Sequence, residues 1–184
     1  MGSEKALKFR QMELMYSGMS RAFVKEQDME QADELGELPL SVHPNYVTPR
    51  GLALLRERQT QAQRRLEGLG KDAFGVELER ARIERELRWL AARIASALPI
   101  TAATQPRDRV AFGASVVLAN ADSGEVRTYR IVGEDEADPE QGLVSWVSPL
   151  AKALHGAKVG DLVSWKRPAG DQELEVLKLS YATE

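Results

Sequence analysis

Cysteine is absent from the 184 residues. That excludes disulfides, thiolate nucleophiles and zinc–thiolate sites, and it is compatible with a reducing compartment. Histidine is almost absent. His43 and His155 each stand without a neighbouring His or Cys, so neither a metal cluster nor a catalytic triad is expected of them. Aromatics make up only 6% of the chain, and no glycine-rich phosphate loop occurs. No apolar run approaches the ~20 residues of a membrane span. The opening stretch MGSEKALKFRQMELMYSGMSRAF lacks the apolar core of a secretory signal. The expectation is a cytoplasmic chain with no membrane partner, no cofactor and no enzymatic activity.

What the sequence does have is charge, 29% of residues against 43% apolar. The net charge of −3 conceals a pattern. Residues 1–47 carry 5 basic and 8 acidic side chains, residues 48–98 carry 11 and 7, and residues 106–184 carry 9 and 13. A basic middle between acidic flanks points to at least two structural units. A net of +4 over the middle segment is too small a bias to indicate DNA binding by itself.

Residues 1–47 show no sustained period. EQDMEQADELGELP is an acidic run of solvated type, and PLSVHPNYV reads as an extended approach. Met19 opens MSRAFVKE, so the preceding eighteen residues read either as an upstream extension or as a mis-called start. Thr48-Pro49 then opens a helix, with Thr as cap and Pro at the first helical position. Leu52, Leu55, Gln59, Ala62, Leu66 and Leu69 step by three and four, a heptad seam. Gly68 and Gly70 supply a stop, and Asp72 can cap a second helix. The second seam runs Val76, Arg80, Ile83, Leu87, Leu90, Ile94 and Ala97. Two such helices joined by a tight turn predict an antiparallel coiled-coil hairpin over 48–98. Residues 99–107 read as a linker.

Beyond the linker the period changes to two. Val110, Phe112, Ala114, Val116 and Leu118 alternate, NADSG turns the chain, and EVRTYRIVG returns. LVSWVS follows an acidic loop, Ser148-Pro149 starts a short helix PLAKALHG, and DLVSWKRP and ELEVLKLSY flank the turn AGD. Residues 108–184 are therefore expected to form a small antiparallel sheet with one short helix, and the whole chain an α+β protein. Trp146 and Trp165 fall in strands as core or half-buried residues. Trp89, beside the second seam, is expected to pack against the neighbouring domain.

The strings FGASVVLANADSGEVRTYRIVGEDEAD, SWVSPLAKALHGAKVGD and TPRGLALLRE resemble the GreA/GreB family of bacterial transcript-cleavage factors. The resemblance covers residues 48–184 and is strongest over 110–163. The segment MSRAFVKE…HPNYVTPRGL is similar to a GreB-like subgroup. The resemblance implies that the C-terminal module is FKBP-like and docks on the rim of the secondary channel of RNA polymerase, against the β′ subunit. The coiled coil then enters the channel, in indirect contact with nascent RNA or DNA. In cleavage-competent members two acids of a D-x-x-E-N tip help hold a second Mg²⁺ that activates water.

The tip departs from that pattern. It reads EGLGKDAFGVELE, without D-x-x-E-N, on a hairpin shorter than in those members and more like that of the related regulator of nucleoside diphosphate kinase. Lys71, Asp72 and Glu77 are its charged tip residues. Asp72 reads as a cap, and Glu77 and Glu79 lie about 200° apart around a helix, which does not let them share an ion. The docking surface of the family maps onto Val147, Ser148, Pro149 and Leu150, with Val147 standing where many relatives carry a polar or acidic residue. Asp135 and Glu136, in the loop with Glu134 and Asp138, form either a solvated loop or a face for a basic patch on the polymerase; their spacing is not that of a calcium loop. The expected function is modulation of transcription elongation from the secondary channel without efficient transcript cleavage. The alternatives are a true cleavage factor and a free-standing FKBP-like chaperone.

Overall fold

The computed structural model describes residues 35–70 and 76–181. Lys71 and Asp72, two of the expected tip residues, lie outside the described residues. The fold is α+β, and the chain divides into two compact units. One is Met1–Pro39 with Gln59–Ala91, of which residues 1–34 and 71–75 are outside the described set; the other is Leu40–Arg58 with Ala92–Glu184.

Two helices of equal length dominate the middle of the chain, α1 (Pro49–Gly68) and α2 (Val76–Ala95). Their burial follows the leucine steps. In α1, Leu55 and Ala62 are buried and Leu52, Gln59 and Leu66 half-buried, while from Ala53 onward the residues between them are exposed. In α2, Val76, Ile83 and Leu90 are buried and Arg80, Leu87 and Ile94 half-buried. Within the first unit Arg65 of α1 and Glu86 of α2 form an ion pair. Both side chains are partly solvated, so the pair adds little beyond fixing register.

The first unit also contains a stretch of chain that precedes the helices in sequence. Arg88 of α2 holds Glu37 at 2.8 Å, Arg85 Nη1 donates to the Gly36 carbonyl at 3.2 Å, and Trp89 Nε1 donates to the Pro39 carbonyl at 3.1 Å. Trp89 thus meets an extended segment of its own unit, a contact between residues fifty apart that no local signal announces.

In the second unit two short strands, β1 (Tyr46–Val47) and β2 (Leu98–Pro99), pair in parallel, one just before α1 and the other just after α2. The remainder is a five-stranded sheet. Its strands are β3 (Ala114–Asn120), β4 (Val126–Val132), β5 (Leu143–Ser145), β6 (Leu162–Trp165) and β7 (Gln172–Tyr181), in the order β5-β4-β3-β7-β6. The expected all-antiparallel sheet is corrected at one edge. β5 runs parallel to β4, because residues 133–142 cross back through two 3₁₀ turns instead of reversing in a hairpin. β3 pairs antiparallel with both neighbours, and its register against β7 shifts between Val117 and Leu118.

Period two explains the core. Ala114, Val116 and Leu118 are buried while Ser115, Val117 and Ala119 between them are half-buried. The helix α3 (Pro149–Leu154) contributes Leu150, Ala151 and Leu154 to the same cluster. Fully burying one such leucine stabilises by about 1.5–3 kcal/mol. Tyr181 closes the far end. It is 7% exposed, its hydroxyl donates to the Arg109 carbonyl at 2.7 Å, and burial pushes its phenol pKa up.

Candidate functional site

The turn from β5 into α3 is a strand-to-helix switch built from two residues. Ser148 is extended, and its Oγ accepts a hydrogen bond from the Ala151 amide at 3.2 Å. Pro149, with no amide to leave unsatisfied, occupies the first helical position. Pro149 is exposed and Val147 and Ser148 half-buried, whereas Leu150 is 2% exposed and belongs to the core. Of the four residues expected at the docking turn, three therefore present surface and Leu150 anchors the turn from beneath. Replacing Ser148 with alanine should lower stability by about 1 kcal/mol, and Ser148→Asp should retain most of it; chemical denaturation of both variants measures the difference.

A recess of about 350 Å³ opens beside this turn, lined by Tyr46, Phe112, Ile131, Trp146, Lys152 and His155. Tyr46 packs against Trp146 at 4.9 Å between ring centroids, and Phe112 meets Tyr46 edge-on at 6.0 Å. His43 also meets Trp146 edge-on at 6.0 Å. The sequence spreads these aromatics over a hundred residues, and only β1 and the chain ahead of β3 bring them together.

The acidic loop is not a solvated run. Glu136 has a 2% exposed side chain and accepts a hydrogen bond from the Thr48 hydroxyl, while Arg50 approaches its other oxygen at 4.0 Å. Thr48 Oγ1 in turn accepts from the Gly51 amide at 2.9 Å, which makes it the cap of α1. Asp135 accepts from Arg93 Nε at 2.7 Å, and Glu134 stands 4.0 Å from Arg93 Nη2. Arg93 itself is 4% exposed, and Asn45 Nδ2 donates to its carbonyl at 2.7 Å. Two glycines permit the approach. A Cβ at Gly133 would sit 2.6 Å from the Tyr46 carbonyl oxygen, and one at Gly51 would sit 2.7 Å from Glu136 Oε2. Asp135 and Glu136 thus spend their charge inside the second unit, on Arg93 and Thr48. Sequence reasoning caught Thr48 as a cap but missed Arg93, since an arginine beside a heptad seam has no local mark of burial.

At the start of α2, Glu77 lies 4.0 Å from Arg80 and Glu79 lies 3.9 Å from Arg82, each one turn along the helix. Among the described residues no three His, Cys, Asp or Glu side chains are grouped so as to hold a metal ion, and no helix is long and apolar enough to cross a membrane.

The model of the family described as "Transcription elongation factor, GreA/GreB, C-term" matches residues 105–181, which takes in the whole five-stranded sheet and α3. Transcription elongation factor GreA of Desulfovibrio desulfuricans is 34% identical over 152 residues, covering 78% of this chain and 94% of the relative. The chain belongs to the GreA/GreB family. Transcription elongation factor GreA of Alkalilimnicola ehrlichii is 44% identical over 101 residues, covering 54% of this GreA/GreB chain and 64% of the relative. In that second alignment the chain spans somewhat less than two thirds of the relative's length. Among solved structures, GreA factor homolog 1 of Thermus thermophilus is 26% identical, covering 75% of this chain and 99% of that one, with a TM-score of 0.36, too low to say anything of this chain's arrangement.

The expectation of no enzymatic activity is corrected by the same comparison. The relatives carry the name GreA, one of the two names borne by the transcript-cleavage factors, so a share in RNA hydrolysis, as cofactor to another enzyme's reaction, is not set aside.

Proposed function

We propose that this chain is a transcription elongation factor of the cytoplasm that binds RNA polymerase at the rim of the secondary channel and modulates elongation from there. The C-terminal module, residues 108–184, is the docking part, FKBP-like in kind, and its contact with the β′ subunit runs through Val147, Ser148 and Pro149. Residues 48–98 form the antiparallel coiled coil that enters the channel, a reading supported by burial that keeps to the three-and-four steps in α1 and by the full burial of Val76, Ile83 and Leu90 at those steps in α2. The observation that carries docking is the capped turn itself. It holds an exposed Pro149 at the start of a short helix whose inner face is fixed in the core, with the half-buried Val147 just ahead of the cap. The first-turn acids of α2 each face an arginine at about the limit of an ion pair, an arrangement that offers a second Mg²⁺ no bare carboxylate pair. Stimulation of transcript cleavage is accordingly inefficient.

Pull-down with core RNA polymerase tests the reading. The unaltered chain should bind, and Pro149→Arg, at an exposed position, should weaken binding by about tenfold or more, the loss of roughly one hot-spot contact. A folded chain that does not bind polymerase ends the proposal. Backtracked complexes assayed alongside should release few short 3′ RNA fragments; efficient release would make the chain a true cleavage factor.

A further inference from the structure

The recess beside the Ser148-Pro149 turn has aromatic walls and a cationic mouth. Tyr46 and Trp146 stand 4.9 Å apart with 56° between their planes, and Phe112 meets Tyr46 at 6.0 Å and 63°. Rings tilted in this way do not cover one another's faces, and all three are half-buried, so each keeps some face for a third body. The floor is Ile131 with Ala111 and Ala151, buried positions where a methyl group leaves open the space a larger side chain would fill. The volume of about 350 Å³ equals about a dozen water molecules at ~30 Å³ each, room for two fused rings. Lys152 and His155, at the end of α3, are both exposed and line the same recess. Among the described residues no acid lines it, and Lys152 has no ion-pair partner, whereas Lys158 lies 3.8 Å from Asp108. An apolar hollow of a few hundred Å³ with one or two convergent polar groups is the ordinary form of a small-molecule site.

We propose that this recess binds a small planar aromatic carboxylate, its rings against Tyr46, Phe112 and Trp146 and its carboxylate on Lys152. The charge at the mouth sets the charge of the ligand. Lysine offers one mobile cation with three donors, and a carboxylate held at the mouth keeps an oxygen in water, so neither ion bears the cost of full burial. His155 carries at least one ring N–H in either charge state and adds a second donor. An aromatic cation would meet Lys152 as a like charge, and an aliphatic acid would forgo the faces of the rings. The site is assembled from distant segments: Tyr46 in β1, Phe112 ahead of β3, Ile131 in β4, Trp146 after β5 and Lys152 on α3. It exists only in the folded second unit, and it needs no polymerase.

Titration of the full-length chain with 2-naphthoate, followed by NMR, tests the site. The dissociation constant should be on the order of 0.1–1 mM, ordinary for a ligand of that size in a half-open hollow. The indole N–H signal of Trp146, assigned by its loss in Trp146→Phe, should shift more than those of Trp89 and Trp165. Naphthylmethylammonium, the same rings with the opposite charge, should bind about tenfold or more weakly, and so should cyclohexanecarboxylate. Lys152→Glu, at an exposed position, should weaken 2-naphthoate binding by about tenfold or more and leave thermal melting unchanged. No binding of 2-naphthoate up to ~10 mM would overturn the proposal. Equal affinity for the ammonium or for the aliphatic acid would overturn it too, as would unchanged affinity in Lys152→Glu. A largest shift at Trp89 or Trp165 would place the ligand elsewhere and overturn it without recourse to affinity.

Discussion

Arg93→Ala is expected to cost about 3 kcal/mol, the low end of the ~3–5 kcal/mol for breaking a buried ion pair, because Asp135 and Glu134 keep a little solvent contact. The arginine side chain is 4% exposed, with Asp135 at 2.7 Å and Glu134 at 4.0 Å; their side chains are 15% and 22% exposed. Removing it leaves the Asp135 and Glu134 carboxylates in a half-dry loop without the cation they share. At ~2–4 °C per kcal/mol for a chain of this size, thermal melting should fall by about 6–12 °C. Arg93→Met paired with Asp135→Leu should recover much of the loss, because what destabilises is the orphaned charge rather than the missing bridge. If Arg93→Ala melts within a degree of the unaltered chain, the pair is not the anchor its geometry describes.

Leu154→Ala should cost about 2–5 kcal/mol, read as a lower urea midpoint. Leu154 is fully buried and is one of three residues by which the six-residue α3 holds to the sheet. A helix that short has almost no stability of its own, so its position is set by those side chains. The truncation should therefore do two things. It lowers global stability, and it loosens the turn carrying Val147, Ser148 and Pro149, so that the polymerase binding proposed for that turn should fall by more than the shift in folding equilibrium accounts for. Leu174→Ala, also in the core but on β7, is the comparison. It should lower stability while leaving the affinity of the remaining folded chain unchanged.

Local chemistry made much of this legible in advance. Thr48-Pro49 and Ser148-Pro149 are complete helix starts in two residues each, and both stand where the pattern puts them. The steps in α1 match its burial position by position because one side of that helix is covered and the rest meets water. The same steps in α2 describe only half of its burial, since a seam pattern is blind to a second covering segment. Alternation marked β3 for the same reason it marked α1: one face in, the other half out. The sense of β5 was not legible. A strand of three residues carries no mark of parallel or antiparallel pairing, and the two 3₁₀ turns before it look like any polar loop. The acidic loop misled for a related reason. Charges are read as solvated unless a partner is nearby in sequence, and Arg93 is forty-two positions from Asp135. At the turn itself, the cap was legible, but the aromatic recess beside it was not, because Tyr46, Phe112 and Trp146 share no period.

The Thr48 hydroxyl has a single proton, and it goes to Glu136, while the oxygen takes the Gly51 amide. The first turn of α1 is therefore completed by a carboxylate eighty-eight positions away. That removes the usual freedom of a helix end to fray on its own. Amides of residues 50–52 and of the loop at 134–137 should exchange with solvent as one cooperative block, opening together or not at all.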